Sequence, residues 1–137
     1  MASTGSYWLV KSEPAKYSFD DLVRDGATAW DGVRNNQAAL YLKAMKVGDQ
    51  VLYYHSQEGL AVVGIAQVSR EAFPDPTDAT GRFVAVELKP VRPLAQPLAL
   101  AEMKANPALA GMAMFRQFRL SVTPITLQEW AVIVQGR

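Results

Sequence analysis

Short strand-like segments recur along the chain at irregular intervals, and this pattern constrains the fold more than any other feature. The segments are rich in aromatic and β-branched residues, which is typical of strands. Short helix-like segments separate them without the regular alternation of a parallel βαβ sheet. The pattern predicts an α+β fold, a small β-barrel of about five to six strands with short helices packed outside. The clearest strand-like segments are Tyr7–Val10, Gln50–His55, Leu60–Val68, Phe83–Leu88 and Leu120–Val122.

Capping residues predict where the helices begin and end. The Ser18–Asp21 segment resembles a capping box and Gly26 suits a C-terminal cap, so a helix is expected over residues 18–25. Either asparagine of Asn35–Asn36 can cap a second helix. Two further helices are expected from Leu98 to Lys104 and after a capping box at Thr126–Glu129.

Glycine and proline mark the irregular positions. Gly64 lies inside the third strand-like segment, which predicts a bulge or a close backbone approach. Residues 73–78 contain two prolines that remove hydrogen-bond donors, so this segment is expected to be a rigid loop. Pro90, Pro93 and Pro97 predict an extended link after the fourth strand.

The composition limits the kinds of site that the chain can form. Its 137 residues fit one domain, expected over 7–137 after a disordered terminus at 1–6. The absence of cysteine excludes disulfides, thiolate zinc sites and cysteine nucleophiles. No apolar run reaches the roughly 20 residues that cross a membrane, and Met1–Ser6 lacks a signal pattern, so no membrane partner and a cytoplasmic location are expected.

The sequence contains no familiar catalytic motif. A phosphate-cradling glycine loop with lysine, an HExxH segment and a nucleophile elbow are all missing. The single histidine, His55, excludes a histidine-based metal cluster, and neither a metal nor another cofactor is expected. A net charge of +1 argues against binding that relies mainly on phosphate neutralisation, although a local basic rim remains compatible.

The stretch Trp30–Asn36 combines an aromatic ring, an acid, a glycine, a base and two amides between two helix-like segments. An aromatic face stacks on a nucleobase with about 1–3 kcal/mol, and amide and hydroxyl groups match the edge of the base. We therefore expect a pocket for a flipped base, with Trp30 as one wall. Trp30, Asn35, Ser12 and Ser56 supply these groups, but their spacing does not show that they converge. Arg34, Arg116 and Arg119, with Lys11, would form a phosphate rim only if folding brings them together.

Two residue assignments have simpler alternatives. As the only histidine, His55 suggests a catalytic role, but it can instead donate one structural hydrogen bond. Arg116 and Arg119 flank Phe118 and can instead form a solvated positive edge.

Six separated motifs lie along the chain: Tyr7–Pro14, Trp30–Asn35, Gly48–Asp49, Tyr54–Ser56, Asp75–Pro76 and Arg119–Val122. Together they resemble the EVE domain from Tyr7 to about Val134. The resemblance implies a PUA-like barrel related to the YTH domain, which reads N6-methyladenine in RNA, and partners that carry modified bases, notably modified cytosines in DNA. It gives Trp30 the role of one cage wall and places Lys11–Ser12 and residues 54–56 beside the pocket. Other YTH cage aromatics have no counterpart here, which argues against N6-methyladenine. With this resemblance, the candidate pocket residues are Lys11, Ser12, Trp30, Gly32, Val33, Asn35, Tyr54, His55 and Ser56.

Three functions are compatible with these observations. The favoured one is a non-catalytic module that binds nucleic acid, DNA or RNA, through a modified base. The second is a hydrolase of acylated nucleosides, because the related ASCH family uses lysine and glutamate, and Lys11 and Glu13 could form such a pair. The third is a pocket for a free small molecule or a partner protein, which the near-neutral charge permits.

Overall fold

The computed structural model describes residues 6–137. Residues 1–5, on which most of the expected disordered terminus falls, lie outside this range. The strands are β1 (Tyr7–Ser12), β2 (Thr28–Trp30), β3 (Gln50–His55), β4 (Ala61–Pro74), β5 (Val84–Ala99) and β6 (Val122–Ile125). The helices are α1 (Phe19–Asp25), α2 (Asn36–Ala44), α3 (Leu100–Ala105), α4 (Ala113–Arg116) and α5 (Leu127–Val134), with a 3-10 turn at Pro107–Leu109.

All six strands form one mixed sheet in the order β2-β5-β4-β3-β1-β6. Strands β1 and β3 are parallel, and the other neighbours are antiparallel. Because successive side chains point to opposite faces, the buried strand β1 contributes to two apolar cores. Trp8 and Val10 pack on one face with α1 and α2, while Leu9 packs on the other with α3, α4 and α5.

The α+β class is confirmed, but the expected closure into a barrel is wrong. Strands β2 and β6 are the two edges of the sheet, and within residues 6–137 they do not pair with each other. Helix α2 contacts the edge strand β6 and also β4 and β5. Strand β2 is also only three residues long, which leaves few backbone groups for a second partner.

The two longest strands extend beyond the segments that the sequence predicted. Phe73 and Pro74 still pair with β5, and the expected proline-rich link continues as β5 with Pro90 opposite Ala66 and Pro93 opposite Gly64. Prolines are tolerated there because β2 pairs only with residues 86–88 of β5, so later residues have one unpaired edge. Several register shifts between β4 and β5 accommodate the positions at which a proline has no backbone N–H to donate.

The predicted caps are confirmed, whereas some boundaries differ. Ser18 and Thr126 form complete capping boxes for α1 and α5, and Asn35 caps α2. The Trp30 stretch lies between α1 and α2, as the sequence indicated, and its first residue ends a strand that the sequence did not predict, the edge strand β2 at Thr28–Trp30. The last strand begins at Val122 rather than Leu120, because the Leu120 N–H bonds to the Gln117 carbonyl in a turn.

Gly64 lies at a close approach between β4 and α1, next to a register shift, as its position in the sequence predicted. A Cβ atom at this position would lie 2.6 Å from the Phe19 ring, which is 2% exposed. Phe19 in turn packs against Tyr53, with ring centroids 5.5 Å apart. Because Gly64 has no side chain, Phe19 of α1 can pack closely against the sheet.

We expect Gly64→Ala to lower the free energy of unfolding by about 1–3 kcal/mol, because the added methyl group overpacks the core. Urea denaturation of the two proteins measures the change. Phe19→Leu makes room at the same contact, so the double variant should lose less than the sum of the two single losses. Strict additivity would show that the Gly64–Phe19 contact is not the cause.

Candidate functional site

An open cavity of about 480 Å³ lies where β1 and β2 end, a size typical of ligand pockets. We call it the Trp30 cavity. Most of the predicted pocket residues are brought together here by the ends of the two strands and by the segment that leads into α2. The lining residues are Lys11, Ser12, Glu13, Lys16, Tyr17, Thr28, Ala29, Trp30, Asp31, Gly32, Val33, Arg34, Asn35, Arg119 and Ser121.

Trp30 is half-buried, so its indole is neither free in solvent nor enclosed by the core. One side packs edge-on against Tyr53, with centroids 5.6 Å apart and an interplanar angle of 84°. The Tyr53 hydroxyl donates to the Tyr17 carbonyl at 2.9 Å, and burial raises the pKa of Tyr53 to about 12. A neutral, fixed phenol therefore positions the indole while part of the ring still lines the cavity.

The buried carboxylate of Asp75 holds the segment that follows Trp30. Its Oδ2 accepts from the Gly32 N–H at 2.8 Å and from Arg34 Nη1 at 3.0 Å. Its Oδ1 accepts from the N–H and the hydroxyl of Thr77 at 2.7 and 2.6 Å. Burial opposes ionisation, but the hydrogen bonds from Thr77, Gly32 and Arg34 outweigh it and hold the pKa of Asp75 well below its usual range.

Residue-by-residue reasoning on the sequence did not find this role of Asp75. The one available signal was the Asp75–Pro76 pair among the EVE motifs. The structure also changes the interpretation of Arg34, which was predicted as a phosphate contact. Its guanidinium bonds Asp75 and the Thr77 hydroxyl and lies over the Phe83 ring, so much of its hydrogen-bonding capacity is already used.

Two polar side chains keep hydrogen-bonding capacity for a ligand. Asn35 Oδ1 accepts from the Ala38 N–H at 3.0 Å, and within residues 6–137 nothing accepts from its amide donors. The Ser12 hydroxyl donates to the Tyr17 carbonyl at 2.7 Å, which leaves its oxygen as an acceptor. The cavity therefore offers both a donor and an acceptor beside the indole.

The lining is more positive than the chain as a whole. The lining contains four basic and two acidic side chains, and one of the acids, Glu13, already pairs with Lys16, with 3.2 Å between Oε2 and Nζ. Lys11 Nζ donates to the Phe118 carbonyl at 2.7 Å, and burial lowers the pKa of Lys11. The Lys11–Glu13 pair that a hydrolase would use is not formed, because each partner is engaged elsewhere.

The remaining predicted residues lie outside the Trp30 cavity. Tyr54 and Ser56 line an adjoining cavity of about 510 Å³, which also contains Leu60, Leu100 and Phe118 and shares Lys11, Glu13, Arg119 and Ser121 with the first. Arg116 lines a third cavity beside Phe118. His55 Nε2 accepts from the Phe19 N–H at 3.1 Å, so the imidazole holds the start of α1.

Between residues 6 and 137, no three or more histidine, aspartate or glutamate side chains are grouped so that they could hold a metal ion. None of the helices described there is both long and apolar enough to span a membrane.

The six-stranded sheet and the indole-walled cavity define the chain as a small PUA-like module with an open cavity lined by aromatic and polar residues. More specifically, the chain belongs to the EVE domain family, whose model matches residues 6–136. An NMR structure of a protein from Rhodopseudomonas palustris is 52% identical with a TM-score of 0.90, covering 95% of this chain and 91% of that one.

A human protein is similar in both sequence and structure. Human thymocyte nuclear protein 1 is 31% identical over 98% of this chain and 75% of its own length. The crystal structure of the human THYN1 protein in complex with DNA that contains 5-methylcytosine has a TM-score of 0.88 at 30% identity, covering 95% of this chain and 96% of that one.

The expected likeness to YTH domains holds for the fold. A YTH domain from Zygosaccharomyces rouxii, solved with N6-methyladenosine RNA, has a TM-score of 0.63 at 11% identity and covers 98% of this chain and 85% of that one. At this identity the comparison concerns the fold alone.

We expect Asp75→Asn to lower the free energy of unfolding by about 1–3 kcal/mol, because the amide nitrogen cannot accept and buried donors lose their partner. Chemical denaturation measures this loss. Asp31→Asn is the matched control, since Asp31 is exposed in the same segment, and its effect should stay within about 0.5 kcal/mol. Equal stability of the two variants would contradict the role assigned to Asp75.

His55 gives the fold a pH dependence of predictable sign. Only a neutral imidazole can accept from Phe19, and burial lowers the pKa of His55, although Asp20 partly raises it. The unfolded chain therefore binds the proton more readily, so the free energy of unfolding falls as the pH drops below about 6.5. His55→Gln keeps an acceptor without titrating, and denaturation curves between about pH 5 and 7 should depend less on pH. Identical pH profiles for both proteins would contradict this account.

Proposed function

We propose that this chain binds nucleic acid that carries a modified base, and that the base leaves its stack to lie against Trp30. The half-buried indole at the edge of an open, positively lined cavity carries this proposal. A flipped base needs an aromatic face for stacking and polar groups for its edge. The cavity supplies both, from residues that the fold already holds in place.

We propose 5-methylcytosine in DNA as the first ligand. The human THYN1 protein, solved with DNA of this kind, is 30% identical over 95% of this chain. The relative solved with RNA is only 11% identical, so it gives no comparable support for RNA. In the cavity, the Asp31 carboxylate can accept from the exocyclic amine of cytosine. Val33 and Ala29 provide apolar surface for a methyl group.

We also propose that the module acts by binding and not by catalysis. The Lys11 ammonium bonds the Phe118 carbonyl, and the Glu13 carboxylate pairs with Lys16. A general acid–base mechanism requires its groups to lie within hydrogen-bond reach of the proton that they transfer. In this arrangement the lysine fixes a turn beside the cavity instead.

Trp30→Ala should weaken binding to a duplex with one 5-methylcytosine by about fivefold to 150-fold, because stacking on the base is lost. Trp30→Phe should retain much of the affinity. Fluorescence anisotropy with modified and unmodified duplexes measures these effects, and thermal unfolding checks that each variant is folded.

Trp130→Ala is the matched control. Trp130 lies on α5, packs against Tyr7 of β1 and does not line the Trp30 cavity. Unchanged affinity of Trp30→Ala for both duplexes would overturn the base-binding role of the cavity. Release of cytidine from an acylated cytidine by the wild-type protein, lost in Lys11→Ala, would overturn the non-catalytic part.

A further inference from the structure

A second aromatic side chain lies near the Trp30 cavity, and the function proposed above does not use it. Phe118 is 62% exposed in the turn between α4 and β6. It lies between two exposed arginines, Arg116 and Arg119. A single exposed apolar residue is ordinary on a protein surface, so its meaning depends on how it is held and what surrounds it.

The backbone that carries Phe118 is fixed on several sides. Lys11 Nζ donates to the Phe118 carbonyl at 2.7 Å. The Tyr41 hydroxyl donates to Gln117 Oε1 at 3.1 Å, and the Lys11 N–H donates to the Ser121 carbonyl at 2.9 Å. Leu120 anchors the turn in the core with 7% exposure. The ring is thus presented to solvent from an ordered turn, which reduces the entropy that a ligand must remove.

The ring also lies beside the proposed base pocket. Phe118 lines the adjoining cavity of about 510 Å³. That cavity and the Trp30 cavity share Lys11, Arg119 and Ser121. The two aromatic residues therefore belong to two neighbouring cavities with common lining residues, which suits two successive nucleotides of one strand.

The charges around the ring favour a polyanion. Lys11 Nζ lies 4.5 Å from the centroid of the Phe118 ring. Neither Arg116 nor Arg119 takes part in an ion pair within residues 6–137. The one carboxylate in the adjoining cavity, Glu13, is paired with Lys16. Guanidinium groups without a carboxylate partner are suited to phosphate.

We propose that Phe118 is a stacking platform for the nucleotide next to the modified base on the same strand, and that Arg116 and Arg119 contact the phosphates on either side of it. This inference rests on the proposed function, because the modified base in the Trp30 cavity sets the position of its neighbour. It implies that the protein binds two successive nucleotides, one enclosed against Trp30 and one stacked on an open surface.

The test combines Phe118→Ala with removal of the neighbouring bases. Two duplexes are compared, one intact around its 5-methylcytosine and one with abasic positions on both sides of it. Phe118→Ala should weaken binding to the intact duplex by about fivefold to 150-fold. It should change binding to the abasic duplex by less than about twofold, because the stacking partner is absent.

Two further variants separate this inference from the proposed function. Leu127→Ala removes a similarly exposed side chain, 60% exposed and on α5, and should bind both duplexes like the wild type. Trp30→Ala should weaken binding to both duplexes. If Phe118→Ala binds the intact duplex with wild-type affinity, or lowers the affinity for both duplexes equally, the stacking role of Phe118 is overturned. A loss of affinity in Trp30→Ala would still support base binding in the Trp30 cavity. If Trp30→Ala also has no effect, the proposed function fails and the platform fails with it.

Discussion

The buried carboxylate of Asp75 determines the shape of the site. It accepts hydrogen bonds from Gly32, Arg34 and Thr77, so it ties the segment after β2 to the loop after β4. Gly32 has a positive φ of 76°, a conformation that favours glycine, and its N–H donates to the carboxylate. This link fixes Gly32 and Arg34, while the buried side chain of Val33 and the cap at Asn35 anchor the rest of the segment. The charge of Asp75 thus organises a binding surface that it does not itself line.

A column of aromatic rings connects this surface to the core. Phe19 packs against Tyr53, and Tyr53 packs edge-on against Trp30. Gly64 makes room for Phe19, and His55 accepts from the backbone N–H of the same residue. The core therefore fixes both the position and the tilt of the indole. A rigid wall of this kind binds a flat ring with a small entropic cost, since little side-chain freedom remains to be lost.

The sequence predicted those features that depend on local chemistry. The capping boxes at Ser18 and Thr126 and the special position of Gly64 follow from residue types near each site. The grouping of Lys11, Ser12 and Trp30 was implied only by the resemblance to the EVE domain. Features that depend on long-range partners could not be predicted in this way. The proline-rich part of β5 can be a strand because one of its edges has no strand partner among residues 6–137. The sheet edges β2 and β6 are set by pairings between strands that are remote in sequence. Arg34 and His55 are charged or titratable residues whose partners, Asp75 and Phe19, are remote in sequence and became known only from the fold.

The central claim is that a modified base leaves its stack and lies flat against Trp30. NMR of a duplex that carries one ¹³C-methyl-labelled 5-methylcytosine tests this contact directly, because the ring current of an indole shifts a methyl group above its face upfield. The account predicts an upfield shift of the methyl resonance on addition of the wild-type protein, and no such shift with Trp30→Ala. A methyl resonance that keeps its stacked-duplex position while the protein is bound would contradict the account.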